Sequence, residues 1–304
     1  MNKSEKNVWA TIAALVAHVI FGLAFLFTKI ALESASPMVF IADRYVIAFL
    51  GLTLVMLVRR KWIRINKNIW KVILMSFFQP VLYFIFETYG IDFTTSSFSS
   101  VMISLTPIMS MIFGMFFLRE VPSPMQYVFS AMSVAGIVII ALLGKADGTV
   151  TLPGVFLLLG AVLSSVGYNV TSRKIAGEFD AFERTYVMAI TGMISFVLIA
   201  IIENINNPVN LVTPFLTPSY VMSILFLAIV SSIIAYFLLN YANTYMPVAK
   251  TTAFSNITTV VSVLAGAVFL EEKLTPVSVG CILMIIAGVW GVQRLGVREK
   301  IEGK

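Results

Sequence analysis

Glu87 is a carboxylate standing well inside an apolar stretch, with Gln79 and Tyr83 at four-residue intervals on the same helical face. Counted from Val72 it lies about 22 Å along a helix, in the outer third of a bilayer. A carboxylate at that depth needs a cation, a proton or water. His18, the one histidine, shares a face with Phe21, Phe25 and Lys29, and imidazole is the side chain suited to shuttling protons near neutral pH. Glu87 and His18 are therefore the proton-handling candidates. An interfacial glutamate on a short helix and a hydrogen-bonded structural histidine are the plain alternatives.

Neutral polar residues also fall on single helical faces. Ser165, Tyr168, Asn169 and Ser172 form one such face; Ser232, Tyr236 and Asn240 form another; Thr252, Ser255, Asn256 and Thr259 a third; and Ser97, Ser100 and Ser104 a fourth. Polar groups are expensive in lipid and turn toward the interior of a bundle. Serine and threonine there commonly hold helices together. Buried amides and phenols cost more, so Tyr83, Tyr168, Asn169, Tyr236, Asn240, Thr252 and Asn256 are read as substrate-binding candidates. Lys29, Glu33, Asp43 and Arg44 are expected to snorkel or pair near helix ends, and Glu120, Glu271 and Glu272 to be structural.

No catalytic pattern accompanies these groups. There is no H-E-x-x-H, no Walker Gly-Lys-Ser/Thr loop and no G-x-S-x-G. One histidine and one cysteine, Cys281, cannot build a metal cluster or an intramolecular disulfide. The reading is no enzyme, no metal and no cofactor.

The elements that must position these residues follow from composition. The chain has 304 residues, 59% hydrophobic and 12% charged, with a mean hydropathy of +0.95. Soluble domains carry roughly 25% charged residues, so a soluble enzyme or a nucleic-acid binder is excluded. Apolar runs lie at 8–32, 38–58, 72–91, 95–117, 124–143, 153–172, 185–203, 218–241, 247–269 and 276–294. Each can span the roughly 30 Å hydrocarbon layer as a helix. Pro37, Pro124, Pro153, Pro218, Pro247 and Pro276 mark helix starts, where a missing N–H costs nothing. Pro80 and Pro107 fall inside runs and should break them. The first run is too long for a signal-peptide core, and Lys29 and Glu33 interrupt its end. The net charge of +6 reflects basic loops: 17 of the 21 Lys and Arg fall on one side if the N-terminus is cytoplasmic. The expectation is an integral protein of the cytoplasmic (inner) membrane with both termini inside.

Self-comparison shows a repeat. Shifted by 152 residues, Gly114 meets Gly266, Leu118-x-Glu120 meets Leu270-x-Glu272, Pro124 meets Pro276 and Ala135-Gly136 meets Ala287-Gly288. Shifted by 145, Gly22 meets Gly167 and Lys29-Ile30-Ala31 meets Lys174-Ile175-Ala176. The seven extra residues fall in the polar 204–217 loop. Five helices per copy is an odd number, so the two copies enter the membrane from opposite sides. Such inverted repeats typify secondary transporters, which bind substrate between the repeats.

The same residues carry a family resemblance. Phe21-Gly22-x-x-Phe25-x-x-x-Lys29, Pro37 with Arg44, Glu87-x-Tyr89 through Pro107, Leu118-Arg119-Glu120 and Leu270-Glu271-Glu272 resemble EamA-type proteins of the drug/metabolite transporter superfamily. Family members often read Trp-Gly-Ser/Thr-Asn-Phe in the first helix; here it is Phe21-Gly22-Leu23-Ala24-Phe25. The resemblance implies an all-α membrane protein of ten transmembrane helices, as two inverted five-helix repeats spanning 1–146 and 147–304. It implies an exporter of small polar or amphipathic metabolites, amino-acid-like compounds or drugs; protons as a coupling partner are the expectation that Glu87 and His18 carry. The expected partners are that small molecule and the bilayer, with no nucleic acid, as a monomer or homodimer. A carrier of phosphorylated or lipid-linked substrates, and a non-transporting sensor or scaffold, are the alternatives.

Overall fold

The structure, a computed structural model, describes residues 3–60, 62–94, 96–143, 151–269, 275–295 and 298–299. Ten helical spans appear among the described residues. They are α1 (Lys3–Leu32), α2 (Pro37–Arg59), α3 (Ile69–Ile91), α4 (Ser96–Ile103 then Thr106–Phe117) and α5 (Pro124–Leu143). The second five are α6 (Leu152–Lys174), α7 (Ala181–Glu203), α8 (Pro218–Tyr245), α9 (Val248–Phe269) and α10 (Pro276–Arg294). Nine of these are long and apolar enough to cross a membrane; α4 contributes a shorter apolar stretch, Val101–Phe117. Glu271 and Glu272, and the side chains of Ser97 and Ser100, lie outside the described residues.

Proline and capping chemistry set the boundaries. Pro37, Pro153, Pro218 and Pro276 occupy first turns, and Pro247 caps the helix that starts at Val248. Pro107 restarts α4 after a break at Ser104–Leu105. The α7 helix begins at Ala181, earlier than its apolar run. Asp180 and Glu183 form a capping box there, each side chain accepting the other's backbone N–H. The 204–217 loop folds into two single 3₁₀ turns, Pro208–Leu211 and Thr213–Leu216. A two-residue antiparallel pairing joins Glu120–Val121 to Arg298–Glu299.

Packing runs between the repeats. α1 lies on α8 and α9, while its counterpart α6 lies on α3 and α4; α2 faces α7 and α5 faces α10. The α5–α10 crossing shows the pseudo-twofold at atomic detail. A Cβ on Gly136 would sit 3.0 Å from the Cys281 carbonyl and 2.9 Å from Ile285; one on Gly288 would sit 2.6 Å from the Phe129 carbonyl and 2.7 Å from Ser133. Gly288, Cys281 and Ile285 are each the 152-residue repeat partners of Gly136, Phe129 and Ser133. Only glycine lets those backbones approach so closely.

The helices alternate in direction, so Arg59, Lys71, Arg173, Arg184 and Arg294 collect at one end of the bundle, here the basic end. The opposite end carries Glu33, Asp43, Tyr89, Glu203 and Tyr220. Between them, α1, α2, α3 and α8 surround the polar residues considered next.

Candidate functional site

The break in α3 starts the site. The segment Phe77–Leu82 is π-helical with Pro80 inside, and Gln79 leaves helical geometry altogether (φ −146°, ψ 119°). Released from the helix, the Gln79 side chain donates to the Tyr236 hydroxyl of α8 at 3.0 Å. One turn on, Tyr83 donates to Glu87 Oε1 at 2.8 Å. Tyr83 and Glu87 sit deep among the helices yet keep accessible surface.

Facing α2, α8 is π-helical over Phe226–Ala235, which turns the adjacent Ser231 and Ser232 toward that helix. Both accept from Arg44: Nε reaches Ser232 Oγ at 2.5 Å and Nη2 reaches Ser231 Oγ at 3.0 Å. Arg44 is 5% exposed, so it does not snorkel as its position in the sequence suggests. Its guanidinium lies 5.3 Å from the Phe84 ring centroid and 5.8 Å from that of Tyr45. Glu87 stands one turn beyond Phe84, within electrostatic reach of Arg44 but outside ion-pair contact. The Tyr45 hydroxyl is buried beside the side chains of Tyr236 and Ser232. A Cβ on Gly192 of α7 would meet the Tyr45 ring at 2.6 Å, so that glycine sets where the ring lies.

The other sequence candidates divide. Tyr236 joins the group, its ring 5.1 Å from Phe21 and 6.3 Å from Tyr168. His18 touches it only through Phe21, at 5.8 Å; its Nδ1 is 2.8 Å from the Ala14 carbonyl. Asn240 sits toward the basic end, fully buried. It accepts from Tyr168 and Ser172 at 3.1 and 2.9 Å and donates to Thr185 at 3.0 Å. Asn169 accepts from Asn243 and donates to the Ser165 carbonyl. Asn256 donates to Ser133 of α5, and Thr252 to its own helix at Val248. The structure thus brings Tyr83, Glu87 and Tyr236 together with Tyr168 at the edge, and leaves Asn169, Asn240, Thr252 and Asn256 in separate contacts.

Sequence reasoning missed Arg44, Tyr45 and Ser231. One signal was available for Arg44: a charge seven residues inside a span is costly and functional by default. Nothing in sequence foretells the π-helical register of α8 that presents two consecutive serines to it.

Residues 8–142 and 152–294 each match the EamA-like transporter family. The chain belongs to that family. It is 33% identical over 288 residues to the uncharacterized transporter YcxC of Bacillus subtilis, covering 93% of this chain and 92% of that protein. An uncharacterized transporter of Archaeoglobus fulgidus is 26% identical over 94% of this chain and 98% of its own length. A solved crystal structure of a protein superposes with a TM-score of 0.79 at 18% identity, covering 94% of this chain and 99% of that one; it shares the fold. The protein is an integral membrane transporter, and its two family matches coincide with the two sets of five helices. The interior cluster between α2, α3 and α8 is the candidate substrate site of this transporter.

Proposed function

We propose that the transporter is a secondary carrier that binds a small amphipathic, amino-acid-like compound between its repeats and exports it across the cytoplasmic membrane. One observation carries the reading: Arg44 and Glu87 are opposite charges in a membrane interior, near each other but not paired. A zwitterion completes the site. Its carboxylate takes the Arg44 donors left over from Ser231 and Ser232, with the Tyr45 hydroxyl as a neighbouring donor. Its ammonium takes Glu87, and its side chain rests on Phe21, Phe84 and Tyr236. Arg173 and Arg184, by contrast, spend their donors on protein groups, which favours a carboxylate over a phosphate.

With the substrate gone, Glu87 holds a proton instead, donated onward when the next ammonium arrives. Glu87 is the coupling residue of this reading and His18 the alternate. Tyr83 orients Glu87 and Tyr236 is the contact from α8. Tyr168, Asn169, Asn240 and Thr252 hold the helices of the second repeat around the substrate, and Asn256 ties that repeat to the first through Ser133. The units 1–146 and 147–304 rock about the site.

The test is counterflow of radiolabelled amino acids in proteoliposomes of the wild type, with and without an imposed pH gradient. Uptake of an amino acid that Arg44→Met abolishes supports the reading. Transport of an uncharged compound with Arg44→Met unaffected overturns it. Orientation is tested separately: a cysteine at Lys67 should be protected from external reagents and one at Asn206 labelled.

A further inference from the structure

A cavity of about 310 Å³ lies at the basic end, away from the candidate substrate site, between the end of α2, the start of α7 and the last turns of α8. Its walls are aromatic: Phe182 from α7, and Phe237, Tyr241 and Tyr245 at four-residue intervals along one face of α8. Two opposite charges border it, Arg59 and Asp180, with the Thr244 hydroxyl between the walls. Lys6 adds a second cation nearby, its ammonium 5.5 Å from the Tyr245 ring centroid.

Depth identifies the environment. α8 has 28 residues, so it is about 42 Å long against a hydrocarbon layer of about 30 Å. Its last turns therefore reach headgroup level, where aromatic rings collect. Phe237, in the cavity wall, is 38% exposed, and Val58, next to Arg59 in the chain, is 74% exposed. At that depth an open cavity is within reach of both headgroups and acyl chains.

We propose that this cavity is a binding site for a phospholipid with a phosphoethanolamine headgroup. The phosphodiester sits on Arg59. The primary ammonium donates to Asp180 and lies over the tyrosine rings, and an acyl chain runs down Phe182 and Phe237. The paired charges select a headgroup carrying both signs, and a carboxylate acceptor selects an ammonium that still has protons to donate. The occupant also touches the closure of this end. Thr244 accepts from Arg184 through its hydroxyl and from Arg173 through its carbonyl at 2.6 Å, so a bound lipid braces the residue that both arginines hold.

The experiment is native mass spectrometry of the full chain in detergent with phosphatidylethanolamine, phosphatidylcholine and phosphatidylglycerol of matched acyl chains. The expected result is one phosphatidylethanolamine retained about three- to fivefold over the others, the scale of a partly exposed ion pair. Arg59→Gln and Asp180→Asn should each erase that preference; asparagine still caps α7, so the fold is kept. Phe237→Ala should lower retention of all three lipids alike. In parallel, added phosphatidylethanolamine should raise the melting temperature of the wild type more than that of Arg59→Gln. Equal retention of the three lipids, a preference for phosphatidylglycerol, or a phosphatidylethanolamine preference that survives both charge substitutions overturns the proposal.

Discussion

Two buried arginines, one in each repeat, are treated in opposite ways. Arg184 is fully buried, and its donors are taken by the Ser172 carbonyl and hydroxyl, the Asn240 carbonyl and the Thr244 hydroxyl. Around it Asn240, Tyr168, Ser172 and Thr185 satisfy one another. Arg173 binds Glu120 at 3.0 Å, and the other Glu120 oxygen caps α9 through the Val248 amide at 2.7 Å. Arg64 grips Glu183 through two nitrogens at 2.8 and 2.7 Å. These bonds tie one repeat to the other across the basic end. Arg44 instead holds two serine hydroxyls and two aromatic faces, with its nearest carboxylate out of contact. A cation whose donors are all matched is a structural bolt. A cation left partly unmatched inside a membrane is chemistry held ready for a ligand.

The largest effect should come from breaking the bolt. Arg184→Met orphans several buried acceptors, each costing about 1–3 kcal/mol, so the purified variant should melt far below the wild type or elute as aggregate. An unchanged melting temperature would erase the contrast between the two arginines. Arg44→Met should do the reverse, because it removes a buried charge that has no ion-pair partner, and keeping such a charge out of water is itself costly. Its melting temperature should hold or rise while transport falls roughly tenfold or more, the value of a charge-assisted hydrogen bond.

Glu87→Gln, which mimics the protonated form, should still exchange substrate but lose the response to an imposed pH gradient. If it still concentrates substrate when driven by protons, His18 becomes the coupling residue.

A finer cut separates neighbours on α8. Asn240→Ala should lower stability by about 1–3 kcal/mol through its lost partners. Tyr236→Phe, one turn away, should leave melting unchanged and raise the half-saturation concentration about fivefold, one neutral hydrogen bond.

The smallest effect belongs to Lys71 and Glu178, a half-buried pair at 2.8 Å. The hydrogen bond from Lys71 holds the Glu178 carboxyl below its usual value. The pair's contribution is therefore complete above the ordinary glutamate range, near pH 4.3, and is lost as pH falls through the lowered value. Lys71→Gln should remove that acid-side loss and change little at neutral pH.

Ten spans, the repeat and the family were legible in the sequence, for one physical reason. Apolar length, proline at helix starts and glycine at crossings are local requirements that each residue meets by its own type. Pro80 and Pro107 announced breaks for the same cause, a missing N–H. Tyr83 and Glu87 were legible as a pair because four-residue spacing on one helix brings side chains together without help from the fold. The placement of Arg44 was not. Seven residues from a helix start, an arginine can reach the interface or turn inward, and the choice depends on what the facing helix offers. Here α8 widens to a π-helix and presents Ser231 and Ser232. The division among the amides was equally hidden. Asn240 and Tyr236 share a helical face one turn apart, yet one meets Tyr168, Ser172 and Thr185 and the other borders the site. Sequence spacing determined which side chains turn inward; only the packing of helix against helix decided which of them found partners, because a hydrogen bond needs its second atom to arrive from another helix.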